Sequence, residues 1–224
     1  MYVLRIIAVA ICLQSSVFAE SEDIISDTER KDGFISIFNG KSLDGWIGAK
    51  GSYQVQDGMI VSLPGKGGNM VTQKEYSDFV IRFEFQLTPA SNNGIGLRVP
   101  LGGHAATQGM EIQLLDEKDA KYRNLKPYQY HGSVYGLIPA KQGHLKPLGD
   151  WNQQEIRCIG KQVTVILNGE TIVDGNILDA IKDGAMDDRE HPGVQRESGH
   201  IGLLGHNTVV KFRNLRVKEI ADLQ

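Results

Sequence analysis

Cysteine, clustered positive charge and long apolar runs are all scarce in this chain. Only two of its 224 residues are cysteines, and Cys12 lies in the N-terminal apolar run, so Cys158 has no partner for a disulfide. The net charge is -3, without a dense lysine or arginine stripe, which argues against a nucleic-acid partner. Beyond the N-terminus no apolar run is long enough for a membrane span.

Histidine spacing of the metal-binding kind is also missing. The chain has six histidines, but none form a tight pair such as H-x-x-x-H on a helix. We therefore predict no cofactor and no catalytic transition metal. A structural Ca²⁺ held by aspartate and carbonyl oxygens stays open, because hard cations prefer oxygen ligands.

The N-terminus has the pattern of a secretory signal peptide. Arg5 precedes an apolar run at residues 6–13, and Val17-Phe18-Ala19 offers a cleavage point. We predict a signal peptide over residues 1–19, cleaved near Ala19, and a periplasmic or secreted protein. Residues 20–32 are polar and acidic and are expected to form a flexible leader, followed by a single domain over residues 33–221.

Short alternating segments joined by turn residues dominate the rest of the chain. Residues 79–87 alternate cleanly, with apolar side chains on one face and Arg82, Glu84 and Gln86 on the other. Asp57-Gly58 and Asn168-Gly169 are typical hairpin turns. About a dozen such strands and little helical period indicate an all-β fold, a sandwich of two antiparallel sheets.

One strand, at residues 110–115, carries the first candidate for chemistry. Its alternation places Met110, Ile112 and Leu114 on one face and Glu111 and Gln113 on the other. Asp116 follows at an odd spacing from Glu111, so a regular strand would separate the two carboxylates. A single β-bulge between them would bring both to one face.

Polar side chains on several strands are expected to share a surface. If the strands are neighbours, Arg82, Glu84, Gln86, Arg98, Glu111 and Gln113 converge. Such a row can hydrogen-bond hydroxyl groups in many directions, as sugar recognition requires. The alternative is a merely solvated sheet face.

Five segments, taken together and in order, resemble the 3-keto-disaccharide hydrolase family. The matching segments are residues 39–46 (NGKSLDGW), 93–98 (NGIGLR), 109–116 (GMEIQLLD), 149–152 (GDWN) with the turn at 167–169, and 199–215. In one segment the family has L-Q-D-H, whereas this chain has Leu203-Leu204-Gly205-His206. The resemblance covers residues 34–220 and implies a concanavalin-like jelly roll.

The resemblance also implies cleavage of 3-keto-glycosides or 3-keto-disaccharides, small carbohydrates that an upstream sugar 3-dehydrogenase would supply. A ketone at C3 acidifies the hydrogen on C2, so the reaction needs a base, an oxyanion stabiliser and an acid, and ends in elimination or net hydrolysis. We expect four catalytic residues: Glu111 as base or acid, Arg98 for the enolate charge, His206 for proton transfer and Tyr135 on the acid side. The substrate-binding candidates are Gln113, Asp116, Glu84, Arg82, His131 and Asn93.

Two other function classes stay open. One is a retaining endo-glycosidase of the laminarinase type, because Glu111 and Asp116 resemble the outer acids of E-x-D-x-x-E, although Gln113 replaces the middle acid. The other is a non-catalytic carbohydrate-binding module, with the same groove and no chemistry.

Overall fold

The computed structural model of the protein describes residues 25–221. The predicted signal peptide and its cleavage point lie outside the described residues. Part of the expected leader is helical: α1 (Asp27–Lys31) begins after a capping box between Ser26 and Glu29. Glu29 also accepts hydrogen bonds from Arg82 and Arg216, so residues 25–32 are docked on the domain and the expectation of a flexible leader is wrong there.

The described part of the chain contains thirteen strands and, besides α1, two short α-helices and four 3-10 helices. None of its helices is long and apolar enough to cross a membrane. The two α-helices are α2 (Ala105–Gln108) and α3 (Ile177–Ala180). The strands are β1 (Ile35–Ser36), β2 (Trp46–Gly48), β3 (Tyr53–Gln56), β4 (Met59–Ser62), β5 (Gly67–Tyr76), β6 (Phe79–Leu87), β7 (Asn92–Val99), β8 (Met110–Leu115), β9 (Trp151–Ile159), β10 (Gln162–Leu167), β11 (Glu170–Asn176), β12 (Gly199–His206) and β13 (Val210–Glu219).

The strands form the two antiparallel sheets that the sequence pattern predicts. The larger sheet has the order β11-β10-β9-β6-β13-β4-β3, with β1 beside β13, and the five-stranded sheet has the order β2-β5-β12-β7-β8. The two predicted hairpin turns are confirmed, because Asp57 and Asn168 adopt the positive φ angles that such turns need, 50° and 51°.

The core lies between the sheets and follows the alternation of the strands. The five inward-facing apolar side chains of β6 are buried in this core, as are Met110, Ile112 and Leu114 of β8. Burying one large apolar side chain contributes about 1.5–3 kcal/mol. The alternate side chains of β6 and β8 point away from the core, each on the outer face of its own sheet.

Arg98 joins three turns at one end of the sandwich. It is fully buried and has a φ of 50°. Its guanidinium donates to the carbonyl oxygens of Ser77, Gly160 and Arg196 at 2.9, 2.8 and 3.1 Å. It also donates to Asp78 Oδ1 at 2.8 Å. All these acceptors belong to loops, so the side chain stabilises the fold.

We predict that Arg98→Met destabilises the protein strongly, because it removes the cationic partner of Asp78 and the donor to the carbonyl groups of Ser77 and Gly160. Removing one partner of a buried ion pair costs about 3–5 kcal/mol. Urea denaturation would measure the free energy of unfolding. Lys74→Met is the control, since it breaks a largely exposed pair with Glu219 and should cost at most about 1 kcal/mol. Equal losses in the two variants would contradict the role of Arg98.

Candidate functional site

The register of β7 and β8 decides which side chains face outward together. Their pairing runs without interruption from Asn92 opposite Leu115 to Leu97 opposite Met110. Glu111 and Gln113 therefore share the outer face, as predicted, and the bulge that would bring Asp116 to that face is not present in β8. Asp116 instead accepts the N–H of Ala90 at 3.0 Å, on the turn between β6 and β7.

His206 meets Glu111 on the outer face of the five-stranded sheet. It ends β12, which pairs with β7 on the side opposite β8. His206 Nε2 lies 3.4 Å from Glu111 Oε1. The Glu111 side chain is 7% exposed and that of His206 is 48% exposed. The pair thus has one sheltered member and one member open to solvent.

Gly94 makes room for the Glu111 carboxylate. A Cβ atom at this position would lie 2.7 Å from Glu111 Cγ and 2.8 Å from its Cδ. Any side chain here would force the Glu111 side chain to move, so the glycine allows the glutamate to lie flat across β7. Gly94 has no positive φ, and its role is therefore close approach and not backbone conformation.

The hydrogen bond to Glu111 raises the pKa of His206 above its ordinary value of 6.5, and the partial burial of the ring opposes this increase. A raised histidine pKa favours the imidazolium at neutral pH. The site thus places a titratable imidazole beside a carboxylate acceptor, which is an arrangement suited to paired acid and base chemistry.

Gln113 and Asn92 extend the polar surface beyond Glu111. Gln113 Nε2 donates to Asn92 Oδ1 at 3.3 Å. Thr208 bonds to both backbone groups of Asn92, accepting its N–H and donating to its carbonyl, each at 2.7 Å. Sequence reasoning named Asn93 and missed Asn92 and Thr208, although the alternation of residues 92–97 already contained the signal for Asn92.

Tyr135 lies beside Glu111 at the edge of the same sheet. Its N–H donates to the Glu111 carbonyl at 2.8 Å, and the neighbouring Val134 bridges Ile112 and points into the core. Tyr135 thus stands opposite Glu111 across this bridge, where the chain enters a turn. Its phenolic oxygen accepts from Gln129 Nε2 at 3.3 Å, and its ring meets Tyr128 edge-on.

An apolar cluster forms one wall of the site. Val71, Val99, Ala105 and Leu204 pack together outside the main core. The family that the sequence resembles has a polar residue at the position of Leu204. The Leu204 side chain is 2% exposed. The leucine that replaces the family's polar residue therefore packs against the segment that contains α2, through Ala105.

Two substrate-binding candidates are on the wrong sheet. Arg82 and Glu84 belong to β6 of the larger sheet, and their side chains face its outer surface. Arg82 bonds to Glu155 and Glu29, and Glu84 bonds to Arg213 and Asn214. Because the core lies between the two outer faces, neither residue can meet Glu111, and the predicted convergence is wrong for both.

Three further candidates are buried away from this face. Arg98 is committed to the loop carbonyls and Asp78, so it is not placed to hold an enolate beside Glu111. Asn93 is fully buried on the inner face of β7. A shift of one residue along a strand exchanges its faces, and this explains why Asn92, rather than Asn93, reaches the site.

His131 lies in the core and not at the site. It is 3% exposed, stacks on Phe85 with ring centroids 5.1 Å apart, and accepts the N–H of Leu115 through Nδ1. Burial lowers the pKa of His131 to about 3, so the ring is neutral at physiological pH. It cannot serve as the proton donor or substrate ligand that the sequence suggested.

Of the sequence candidates, Glu111, His206, Gln113 and Tyr135 share the outer face of the five-stranded sheet. Within residues 25–221, no group of three or more histidine, cysteine, aspartate or glutamate side chains is placed to hold a metal ion. The side chains gathered at the site offer one carboxylate, one imidazole, one phenol and amide groups.

The chain is similar in sequence and in structure to proteins that are described as glycoside hydrolases. A 3-keto-disaccharide hydrolase of Bacteroides thetaiotaomicron is 25% identical over 251 aligned positions, covering 94% of this chain and 86% of that protein. A Parabacteroides distasonis protein described as a candidate glycosyl hydrolase has a TM-score of 0.77 at 23% identity, covering 88% of this chain and 98% of that one.

The fold is also that of lectin-like jelly rolls. Carbohydrate-binding module CBM66 of Bacillus subtilis superimposes with a TM-score of 0.53 at 13% identity, covering 78% of this chain and 96% of the module. The predicted jelly-roll sandwich is confirmed.

A family model described as the 3-keto-alpha-glucoside-1,2-lyase-like domain matches residues 33–218. That match confirms the resemblance found in the sequence, and together with the Bacteroides relative it supports a glycoside hydrolase-like function. The chain belongs to the 3-keto-alpha-glucoside-1,2-lyase-like domain family.

Proposed function

We propose that this protein cleaves glycosides whose sugar carries a ketone at C3, such as 3-keto-disaccharides. The observation that carries the proposal is the pair of Glu111 and His206, 3.4 Å apart, on the outer face of the five-stranded sheet. Family membership and the name of the Bacteroides relative support the substrate class. Without the ketone, the hydrogen on C2 is not acidic enough for a carboxylate to remove it.

The proposed route begins with proton abstraction. The Glu111 carboxylate takes the proton from C2, and the electron pair of that C–H bond moves to form an enolate on the C3 oxygen. The enolate then reforms the ketone and a C1–C2 double bond while the bond from C1 to the glycosidic oxygen breaks. The leaving oxygen takes a proton from an acid. Addition of water across the double bond would give net hydrolysis.

The remaining groups are suited to the charges that develop. Imidazolium His206 stabilises the enolate or protonates the leaving oxygen, the electrostatic role that the sequence assigned to Arg98. Tyr135 accepts a hydrogen bond from Gln129, which leaves its own O–H free to donate to a substrate oxygen. Gln113 and Asn92 provide amide groups for sugar hydroxyls.

The two alternatives are less well supported by the geometry. A retaining glycosidase needs two carboxyl groups about 5 Å apart, whereas Asp116 is turned to Ala90 and not to Glu111. A non-catalytic binding module would have no need for a carboxylate and imidazole placed as a pair. The proposal extends to export through a signal peptide cleaved near Ala19, and to a separate sugar 3-dehydrogenase that supplies the ketone.

We predict that Glu111→Gln lowers turnover of a 3-keto-glucoside by about 10²–10⁴-fold, the usual contribution of a general base. The glutamine keeps the shape of the side chain but cannot take a proton. Glu75→Gln is the matched control, because Glu75 also faces a histidine, with 3.5 Å between Glu75 Oε1 and His200 Nε2. It should retain activity.

The comparison of substrates separates the function classes in the same assay. The wild-type protein should cleave the 3-keto-glucoside and leave the ordinary glucoside intact. Similar rates of cleavage of both sugars would contradict the keto-sugar mechanism and would indicate a conventional glycosidase. Binding without turnover, unchanged in Glu111→Gln, would show a binding module.

We predict that Glu111→Gln also lowers the pKa of His206. Because Glu111 raises this pKa in the folded protein, the stabilisation from the pair is fully present below the ordinary histidine pKa and is lost as the pH rises through the raised value. An NMR titration of the His206 ring would measure the shift. Glu75→Gln should leave it unchanged, and an unaltered His206 pKa in Glu111→Gln would contradict the pairing.

We predict that Gly94→Ala reduces turnover with little loss of folded protein, because the new methyl group displaces the Glu111 carboxylate. Gly51→Ala is the control: a Cβ there meets nothing within 4 Å, and its φ is not positive. Activity assays paired with thermal unfolding would separate the two effects. Full activity in Gly94→Ala would show that the carboxylate need not lie across β7.

A further inference from the structure

A concave site lies at the end of the sandwich, where loop residues 116–120 approach loop residues 145–150. Its volume is about 360 Å³, within the range of small-molecule pockets, about 300–1,000 Å³. It contains none of the residues that form the Glu111 site. Two segments singled out in the sequence but not used in the proposed reaction meet here: Asp116 and residues 149–152. The lining residues are Leu87, Asp116, Lys118, Asp119, Ala120, Leu145, Lys146, Pro147, Leu148, Gly149, Asp150 and Asn152.

Apolar side chains from two separate parts of the chain form its wall. Leu87 ends β6, and Leu145, Pro147 and Leu148 come from the loop before β9. Leu148 is 50% exposed, which is a large exposure for a leucine that already has apolar neighbours. An apolar ligand would cover it and gain the free energy of burying that surface.

The Asp116 carboxylate, which also lines the cavity, has a hydrogen-bond partner on only one of its two oxygens. Asp116 is 8% exposed, and its Oδ2 accepts the N–H of Ala90. Its Oδ1 receives no hydrogen bond from any residue of the part of the chain that the structure describes. This carboxylate oxygen therefore keeps an acceptor position for a ligand donor, and a hydrogen bond to a charged acceptor is a strong one.

The charge of the lining restricts the ligand further. Three aspartates, at 116, 119 and 150, face two lysines, at 118 and 146, and Lys146 Nζ is already bonded to the Trp151 carbonyl. The surplus of negative charge disfavours anions. The remaining chemistry is an apolar body with a hydrogen-bond donor.

We propose that this cavity binds small alcohols or phenols, with the apolar body against the leucine wall and the hydroxyl group donating to Asp116 Oδ1. Ligand pockets of this size commonly combine an apolar wall with a few placed polar groups. Asp116 follows Glu111 by five residues along the chain but faces a different surface. The inference does not depend on the proposed function, because binding is measured without turnover.

The test is an NMR titration of the ¹⁵N-labelled protein with benzyl alcohol, with toluene as the probe that lacks a donor. Benzyl alcohol should produce saturable shifts at the amides of Ala90, residues 116–120 and residues 145–150. Toluene should bind more weakly, because it cannot use the Asp116 acceptor.

Asp116→Asn is the sharpest variant. Its amide oxygen can still accept the Ala90 N–H, but the cavity then meets an NH₂ group instead of a charged acceptor. We expect benzyl alcohol to bind about tenfold more weakly, since a charge-assisted hydrogen bond is lost. Asp57→Asn, in an exposed hairpin turn where Asn is equally suited, is the matched control and should bind normally.

A second variant, Leu148→Ser, tests the proposal independently in case Asp116→Asn does not fold. Leu148→Ser changes a half-exposed side chain and should leave the fold intact while it weakens binding several-fold. Shifts confined to the Glu111 and His206 face, no saturable shifts, or equal affinity in Asp116→Asn would each overturn the proposal. Saturable binding of benzylamine without binding of benzyl alcohol would overturn it in favour of a site for cations.

Discussion

The arrangement of the site depends on the antiparallel register of three strands, with β7 between β8 and β12. Gly96 of β7 pairs with Glu111 on one side and Gly202 on the other. This register places Glu111 and His206 on one outer face although they are 95 residues apart in the chain. A shift of one residue in either pairing would turn one of the two side chains into the core.

Glycine at position 94 is the second requirement of this arrangement. The carboxylate of Glu111 crosses β7 only because that strand presents no side chain beneath it. The glutamate is then sheltered by the sheet while His206 stays half exposed. A sheltered carboxylate needs a compensating partner, and the His206 ring supplies it without closing the site to a ligand.

Arg98 and His206, the two cationic residues that the sequence suggested for catalysis, have different roles in the structure. Arg98 uses four of its five N–H donors on loop carbonyls and Asp78 and is fully buried, so it is out of reach of a substrate and serves stability. His206 keeps one acidic neighbour and an open face. A group that is fully satisfied within the fold is poorly suited to chemistry, whereas a partly exposed titratable group with one partner can exchange a proton.

The alternation of β6 and β8 could be predicted from the sequence because a strand has a fixed period of two. It correctly placed the core residues of both strands, and it placed Glu111 and Gln113 outward. The same rule, applied to residues 92–97, would have chosen Asn92 over Asn93. It carries no information on which sheet a strand joins, and so Arg82 and Glu84 were assigned to the wrong outer face.

The all-β class, the hairpin turns, the family and the outward placement of Glu111 follow from the sequence, because these depend on local period, turn residues and short motifs. The partners of Glu111 follow only from the folded arrangement. His206 joins it, Arg98 and His131 are withdrawn into the fold, and Asp116 turns to a separate cavity. These outcomes depend on strand order and on the competition of each polar group for buried partners, and both are set by contacts between residues far apart in the chain.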